Sequence, residues 1–170
     1  SLLETAIEQR RPKPALRAAI EEFRTIPISD KPRKPLVGIV GEIYMRLNSF
    51  CNGNLIRAIE AYGGEAWLSP IGEIILYQSE YARFYAQRHP EKKLFGLPYA
   101  AGYLAIKDRF LRSVEEEYAE IANDLLCERQ EPHIKEILRA GMRYIPMDME
   151  GESILTIGRT LLFIEQGAAM

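Results

Sequence analysis

The sequence predicts an α/β domain, a helix-rich Rossmann-like (flavodoxin-like) parallel sheet that is truncated. Three observations carry this. Leu36 to Val40 is a short apolar run, dense in β-branched residues, of the kind that forms a strand covered on both faces. An amphipathic helix and a Gly63-Gly64 stop follow, and then a second short apolar run, Glu65 to Ser69. Most of the remaining chain repeats apolar residues at steps of three and four, the period of a helix. Strand, loop, helix and strand in that order describe a parallel crossover unit.

Upstream, Leu2 to Ile7 and Ala15 to Phe23 read as helices, with Leu16, Ala19, Ile20 and Phe23 on one face of the second. Pro12 and Pro14 interrupt helix geometry between them. Thr25 to Pro35 holds three prolines among basic residues and reads as a linker. The expected organisation is therefore a helical arm and proline-rich linker over 1–35, followed by the α/β domain over 36–170.

Within that domain, Gly41 to Cys51 is a polar loop at the end of the first strand, where open α/β sheets bind ligands. Asn52 or Asn54 caps the helix that carries Leu55, Ile56 and Ile59 on its inner side, and Gly63 or Gly64 ends it in left-handed geometry. Ile71 to Arg88 is the next helix. Tyr99 to Glu128 is the longest, with Tyr103, Ile106, Phe110, Val114, Tyr118, Ile121 and Leu125 as its apolar stripe and Glu115 to Glu117 on its polar face. Pro132 starts a short helix that Gly141 stops, Met142 to Pro146 reads as a third strand, and Glu152 to Gln166 as a last helix ended by Gly167. Ala168 to Met170 reads as the opening of a further strand. Two or three strands are few for 170 residues, and a truncated sheet accounts for that. Ser1 in place of a methionine points the same way, to a fragment of a larger protein.

Composition excludes some functions. A net charge of −2 with both signs interspersed lacks the basic stripe of a nucleic-acid surface. No run of about 18 apolar residues is present, so no membrane span is expected, and a cytoplasmic location follows from the absence of a signal-peptide pattern. Cys51 and Cys127 are separated by 75 intervening residues and read as free thiols, too few to hold an iron–sulfur cluster unaided. His89 and His133 adjoin prolines and read as helix-end residues. Gly38 and Gly41 do not make a dinucleotide fingerprint, since ten residues separate Gly41 from Asn52, and no Walker-type loop occurs.

The candidate site is the loop itself: Glu42, Tyr44, Arg46, Asn48 and Asn52. Arg46 has the planar fork that binds phosphate or carboxylate, and Glu42 stands at the mouth of a buried strand. Two readings stand side by side. In one these groups face a ligand; in the other a Glu42–Arg46 pair and asparagine caps merely fix the loop. Cys51 precedes a helix N-terminus, which lowers a thiol pKa, but it equally suits a small space-filling residue. Glu150 and Glu152 precede the last helix, where acids favour the dipole; alternatively they project toward the same crevice as Glu42.

The wording VGIVGEIYMRLNSFCNGNLIRAIEAYGGEAWLSP resembles the dehydratase component of 2-hydroxyacyl-CoA dehydratases and its large activase-related relatives. These are described as CoA-substrate-specific enzyme activases or activators of (R)-2-hydroxyglutaryl-CoA dehydratase. Gly41-Glu42, Tyr44, Arg46, Asn48, Phe50, Asn52, Asn54-Leu55, Gly63-Gly64-Glu65, Trp67 and Pro70 carry the likeness, and EGESILTIGRTLLFIEQGAA, from Glu150 to Ala169, carries a second. The resemblance implies an ATP-driven system in which an activase bearing an iron–sulfur cluster delivers a low-potential electron to a dehydratase, which removes water from a 2-hydroxyacyl-CoA through a ketyl radical. It implies that ATP and the cluster belong to the parent system and that no cofactor sits in this portion. The implied partners are an acyl-CoA dehydratase or activase component and a CoA thioester. Cys51 falls where the family pattern expects a small residue, so no cluster-ligand role carries over to it. Two other readings remain: a protein-interaction module built on the long helix and its acidic face, and a stand-alone nucleotide-binding domain.

Overall fold

The computed structural model describes residues 12–27, 32–89, 97–122, 129, 131–149 and 151–169, with the backbone alone for 97–101. The expected helix Leu2 to Ile7, Cys127 and Glu150 lie outside them. Two compact units emerge, one from Ser1–Lys31 and Ala105–Glu131, the other from Pro32–Leu104 and Pro132–Met170. This differs from the sequence division, because residues 105–131 group with the N-terminal segment.

In the first unit, α1 spans Pro12–Arg24 among the described residues, so Pro12 and Pro14 lie within helix instead of interrupting it. Ile20 is buried and Leu16 and Ala19 half-buried, as the spacing requires, whereas Phe23 is exposed. Lys13 pairs with Glu117.

In the second unit, β1 (Leu36–Ile39) is followed by α2 (Ile43–Leu47), α3 (Leu55–Ala61) and β2 (Glu65–Leu68). The strands pair in parallel, Leu36 opposite Glu65 and Ile39 opposite Leu68. On the opposite edge of β1, Ala169 bridges Val37 in parallel: the Gly38 N–H donates to the Ala169 carbonyl and the Ala169 N–H to Leu36, each at 2.8 Å. The expected further strand thus begins beside β1. The described architecture is a helix-rich α/β unit with a two-stranded parallel sheet.

The long helices are α4 (Gly72–Arg88), α5 (Leu97–Ala122), α6 (Ile134–Gly141) and α7 (Ser153–Glu165). Among the described residues α5 already includes Leu97 and Pro98, ahead of the expected start at Tyr99. Its residues Tyr103, Ile106 and Phe110 are exposed, so that part of the stripe is not core. Leu55 and Ile56 of α3 are likewise exposed, while Ile59 is half-buried. His133 rather than Pro132 caps α6, its Nδ1 accepting the Lys135 N–H at 3.1 Å. Met142 to Pro146 forms turns instead of a strand, because Arg143, Tyr144 and Ile145 direct their N–H groups back to the carbonyls of Ala140 and Gly141.

α6 and α7 pack closely through two glycines. A Cβ on Gly158 would stand 2.0 Å from the Ile137 carbonyl oxygen, and one on Gly141 2.4 Å from that of Ile154. Gly141 is the last residue of α6, where the sequence reading placed its end, and is also a contact residue of the crossing. Ile134, Ile137, Leu138, Ile154 and Leu155 fill the crossing. A second core joins sheet to helix: Trp67 of β2 meets Phe163 of α7 with ring centroids 4.7 Å apart and planes tilted by 43°, and Ala168 closes it. Offset aromatic pairs of this kind add to the burial of the rings themselves.

Candidate functional site

The first strand ends at Val40-Gly41, and the chain enters the polar loop. Glu42 caps α2, its Oε2 accepting the Met45 N–H at 2.9 Å. Asn48 Oδ1 accepts from the N–H groups of Phe50 and Cys51, at 3.0 and 3.1 Å. Asn52 holds the two ends of the loop together: its amide donates to the carbonyls of Met45 (3.2 Å) and Arg46 (2.9 Å), and its Oδ1 accepts the Leu55 N–H at 3.2 Å. Asn54 takes the N-cap position in left-handed geometry, φ 57°, without a side-chain bond. The two asparagines thus divide the capping role, one by position and one by hydrogen bond.

Glu42, Asn48 and Asn52 therefore fix the loop. Tyr44 is exposed and Cys51 is a half-buried free thiol. The Glu42–Arg46 pair does not form: Arg46 turns inward, is only 6% exposed, and its buried Nε has no hydrogen-bond partner among the described residues.

Arg46 lines a narrow cleft at the carboxyl ends of both strands. Val40 and Gly41 come from the end of β1, Ser69 follows β2, Glu73 lies in the first turn of α4, and Glu152, Leu155, Thr156 and Arg159 come from the start of α7. Of the residues expected from sequence, the fold brings Arg46 and Glu152 together here, and leaves Glu42, Tyr44, Asn48, Asn52 and Cys51 off the described lining. The free volume, ≈ 10 Å³, is about that of one water molecule.

Behind the cleft lies a buried polar network that sequence reasoning missed. Arg159, 1% exposed, forms an ion pair with Glu73, 7% exposed. Ser69 donates from its hydroxyl to Glu73 Oε2 at 2.8 Å. The Arg159 guanidinium also sits over the Phe163 ring, 5.1 Å from its centroid. One signal was available: Arg159 falls on the helix face of Leu155 and Phe163, where a cation demands a buried partner. Tyr77 of α4 donates its hydroxyl to the Gly151 carbonyl at 3.0 Å, fixing the turn before α7. Burial, then the neighbouring Tyr81 and Glu152, raise its pKa above the ordinary 10.0.

Among the described residues, no group of three or more His, Cys, Asp or Glu side chains is arranged to hold a metal ion, and no helix is long and apolar enough to cross a membrane. Comparison with family models, with curated proteins and with solved structures finds no match to this chain.

Proposed function

We propose that this chain is a Rossmann-like domain of an activator or component of a 2-hydroxyacyl-CoA dehydratase, the 2-hydroxyglutaryl-CoA type included, where it supplies part of the substrate or cluster crevice or a docking surface for the partner component. ATP and the iron–sulfur cluster belong to the rest of that system, and the domain works in the cytoplasm. One observation carries the reading. The two segments whose wording resembles that family, distant in sequence, meet at Val37 and Ala169 and line one cleft through Arg46, Glu152 and Arg159. The spatial order β2, β1, Ala169 supports the reading, being compatible with the start of a doubly wound parallel sheet, and the cleft lies at the carboxyl ends of the two strands, where open α/β sheets hold ligands.

The test is equilibrium binding of a 2-hydroxyacyl-CoA and of the purified dehydratase component to the chain, with iron, sulfide and ATP turnover measured alongside. Binding of either partner is expected, without stoichiometric iron or ATP hydrolysis. Failure of both partners to bind sinks the proposal.

A second reading, a non-catalytic interaction module, has its own support. Phe50 is 92% and Tyr62 94% exposed, and Tyr44, Met45 and Leu47 lie exposed on the same loop and helix. Exposed aromatic surface of that kind commonly marks a docking face. Binding of the dehydratase component that is lost in a Phe50→Ser, Tyr62→Ser double variant, with no thioester binding, favours it.

A further inference from the structure

Among the described residues, Arg46 has no counter-charge. The residue is only 6% exposed, and its buried Nε has no hydrogen-bond partner among the described residues. The carboxylates around it are committed elsewhere or stand apart. Glu42 caps its own helix, and Glu73 is held by Arg159 and Ser69. Glu152 shares the cleft but forms no ion pair with Arg46. A guanidinium buried without a partner is costly, and an anion relieves it.

The surroundings suit an anion. α4 and α7 both begin at the cleft, and neither N-terminus has a side-chain cap bond. Their first N–H groups carry partial positive charge. The cleft admits only about one oxygen-sized atom, while the space where a Gly41 Cβ would stand is open, with nothing within 4 Å. We propose that the cleft is an oxyanion site: one oxygen of a carboxylate or phosphate enters against Arg46, and the body of its ligand lies outside beside Gly41. This rests on the ligand-crevice reading for its location alone.

The test titrates the isotope-labelled chain with inorganic phosphate and, separately, with acetate, at constant ionic strength set by chloride. The backbone amides of Gly41 and Leu155 report. Saturable shifts are expected with at least one probe, and which probe gives them identifies the group recognised. Arg46→Met is expected to abolish them. Glu152→Gln, which removes a competing negative charge, is expected to tighten binding by about threefold or more. If Arg46→Met fails to fold, the Glu152→Gln comparison decides. Absence of saturation with both probes, unchanged binding in Arg46→Met, or unchanged or weaker binding in Glu152→Gln overturns the proposal. Phosphate binding without thioester or partner binding removes the dehydratase reading and leaves the oxyanion site. Thioester binding that Arg46→Met leaves intact does the reverse.

Discussion

Arg159 of α7 and Glu73 of α4 form an ion pair in which both side chains are almost wholly excluded from water. The pair is not isolated. Ser69 donates to Glu73, and Arg159 lies over Phe163, which in turn packs on Trp67 of β2. Two helices and a strand are thereby fixed to one another at the floor of the cleft. Desolvating both charges offsets much of their attraction, so the pair adds little net stability but makes the loss of either partner expensive.

Removing one partner is therefore expected to be worse than removing both. Glu73→Leu and Arg159→Met should each lower unfolding free energy by about 3–5 kcal/mol. The double variant Glu73→Leu, Arg159→Met should lie well above the sum of the two losses, within about 1–2 kcal/mol of the original protein. Urea unfolding at unchanged m-value measures all three. Strict additivity of the single losses would show that the pair is not coupled.

The crossover unit was legible because its signals are local. A β-branched run, asparagines before an apolar helix and a glycine stop each act within a few residues, and β1, α3 and β2 formed where those signals lie. The chemistry of the cleft was only half legible. Arg46 and Glu152 were visible as polar residues near element ends. Arg159 was signalled only as a cation on an apolar helix face; Ser69 and Glu73 were not signalled, because which carboxylate meets that cation is set by packing between α4 and α7, which no spacing within either helix encodes. The error at Met142 to Pro146 has the same origin: an apolar run becomes a strand only if a sheet edge receives it, and here the N–H groups turned back onto α6.

Two glycine substitutions should have opposite signs. Gly158→Ala places a methyl 2.0 Å from the Ile137 carbonyl oxygen, which is backbone in the middle of α6 and has no rotamer by which to yield. The helices must separate, at a cost of about 3 kcal/mol or more. Gly102→Ala on α5 meets nothing within 4 Å and gains helix propensity, so it should stabilise by about 0.5–1 kcal/mol. Thermal unfolding of the two variants separates packing from propensity. A neutral Gly158→Ala would mean that the α6–α7 crossing is looser than described.

Asn52 ties the candidate loop through three bonds, to the carbonyls of Met45 and Arg46 and from the N–H of Leu55. Asn52→Ala removes all three and should cost about 1–2 kcal/mol. Asn52→Asp keeps the cap to Leu55 but sets a carboxylate oxygen against two carbonyls, so it should recover less than the cap alone is worth. Limited proteolysis should cut both variants faster between Glu42 and Asn54 than the parent chain. Equal cleavage rates would show that Asn52 does not hold the loop.

Tyr77 should make the protein alkali-sensitive, and the sign follows from its surroundings. The phenol is buried, donates to the Gly151 carbonyl, and stands near Tyr81 and Glu152, all of which oppose ionisation in the folded state. Its folded pKa is therefore above 10.0, near which the unfolded chain releases the same proton. The stabilisation it provides is fully present below that unfolded value and is lost as pH rises through the folded one. Tyr77→Phe removes both the hydrogen bond and the titration. At neutral pH the variant should be less stable by about 1 kcal/mol. Above pH ~10 the gap should narrow with each step in pH, because only the parent loses stability through this group. Urea midpoints of the two proteins, compared at matched pH, give that difference directly with the other tyrosines common to both. A gap that stays constant or widens toward alkaline pH would show that the Tyr77 proton is not coupled to folding.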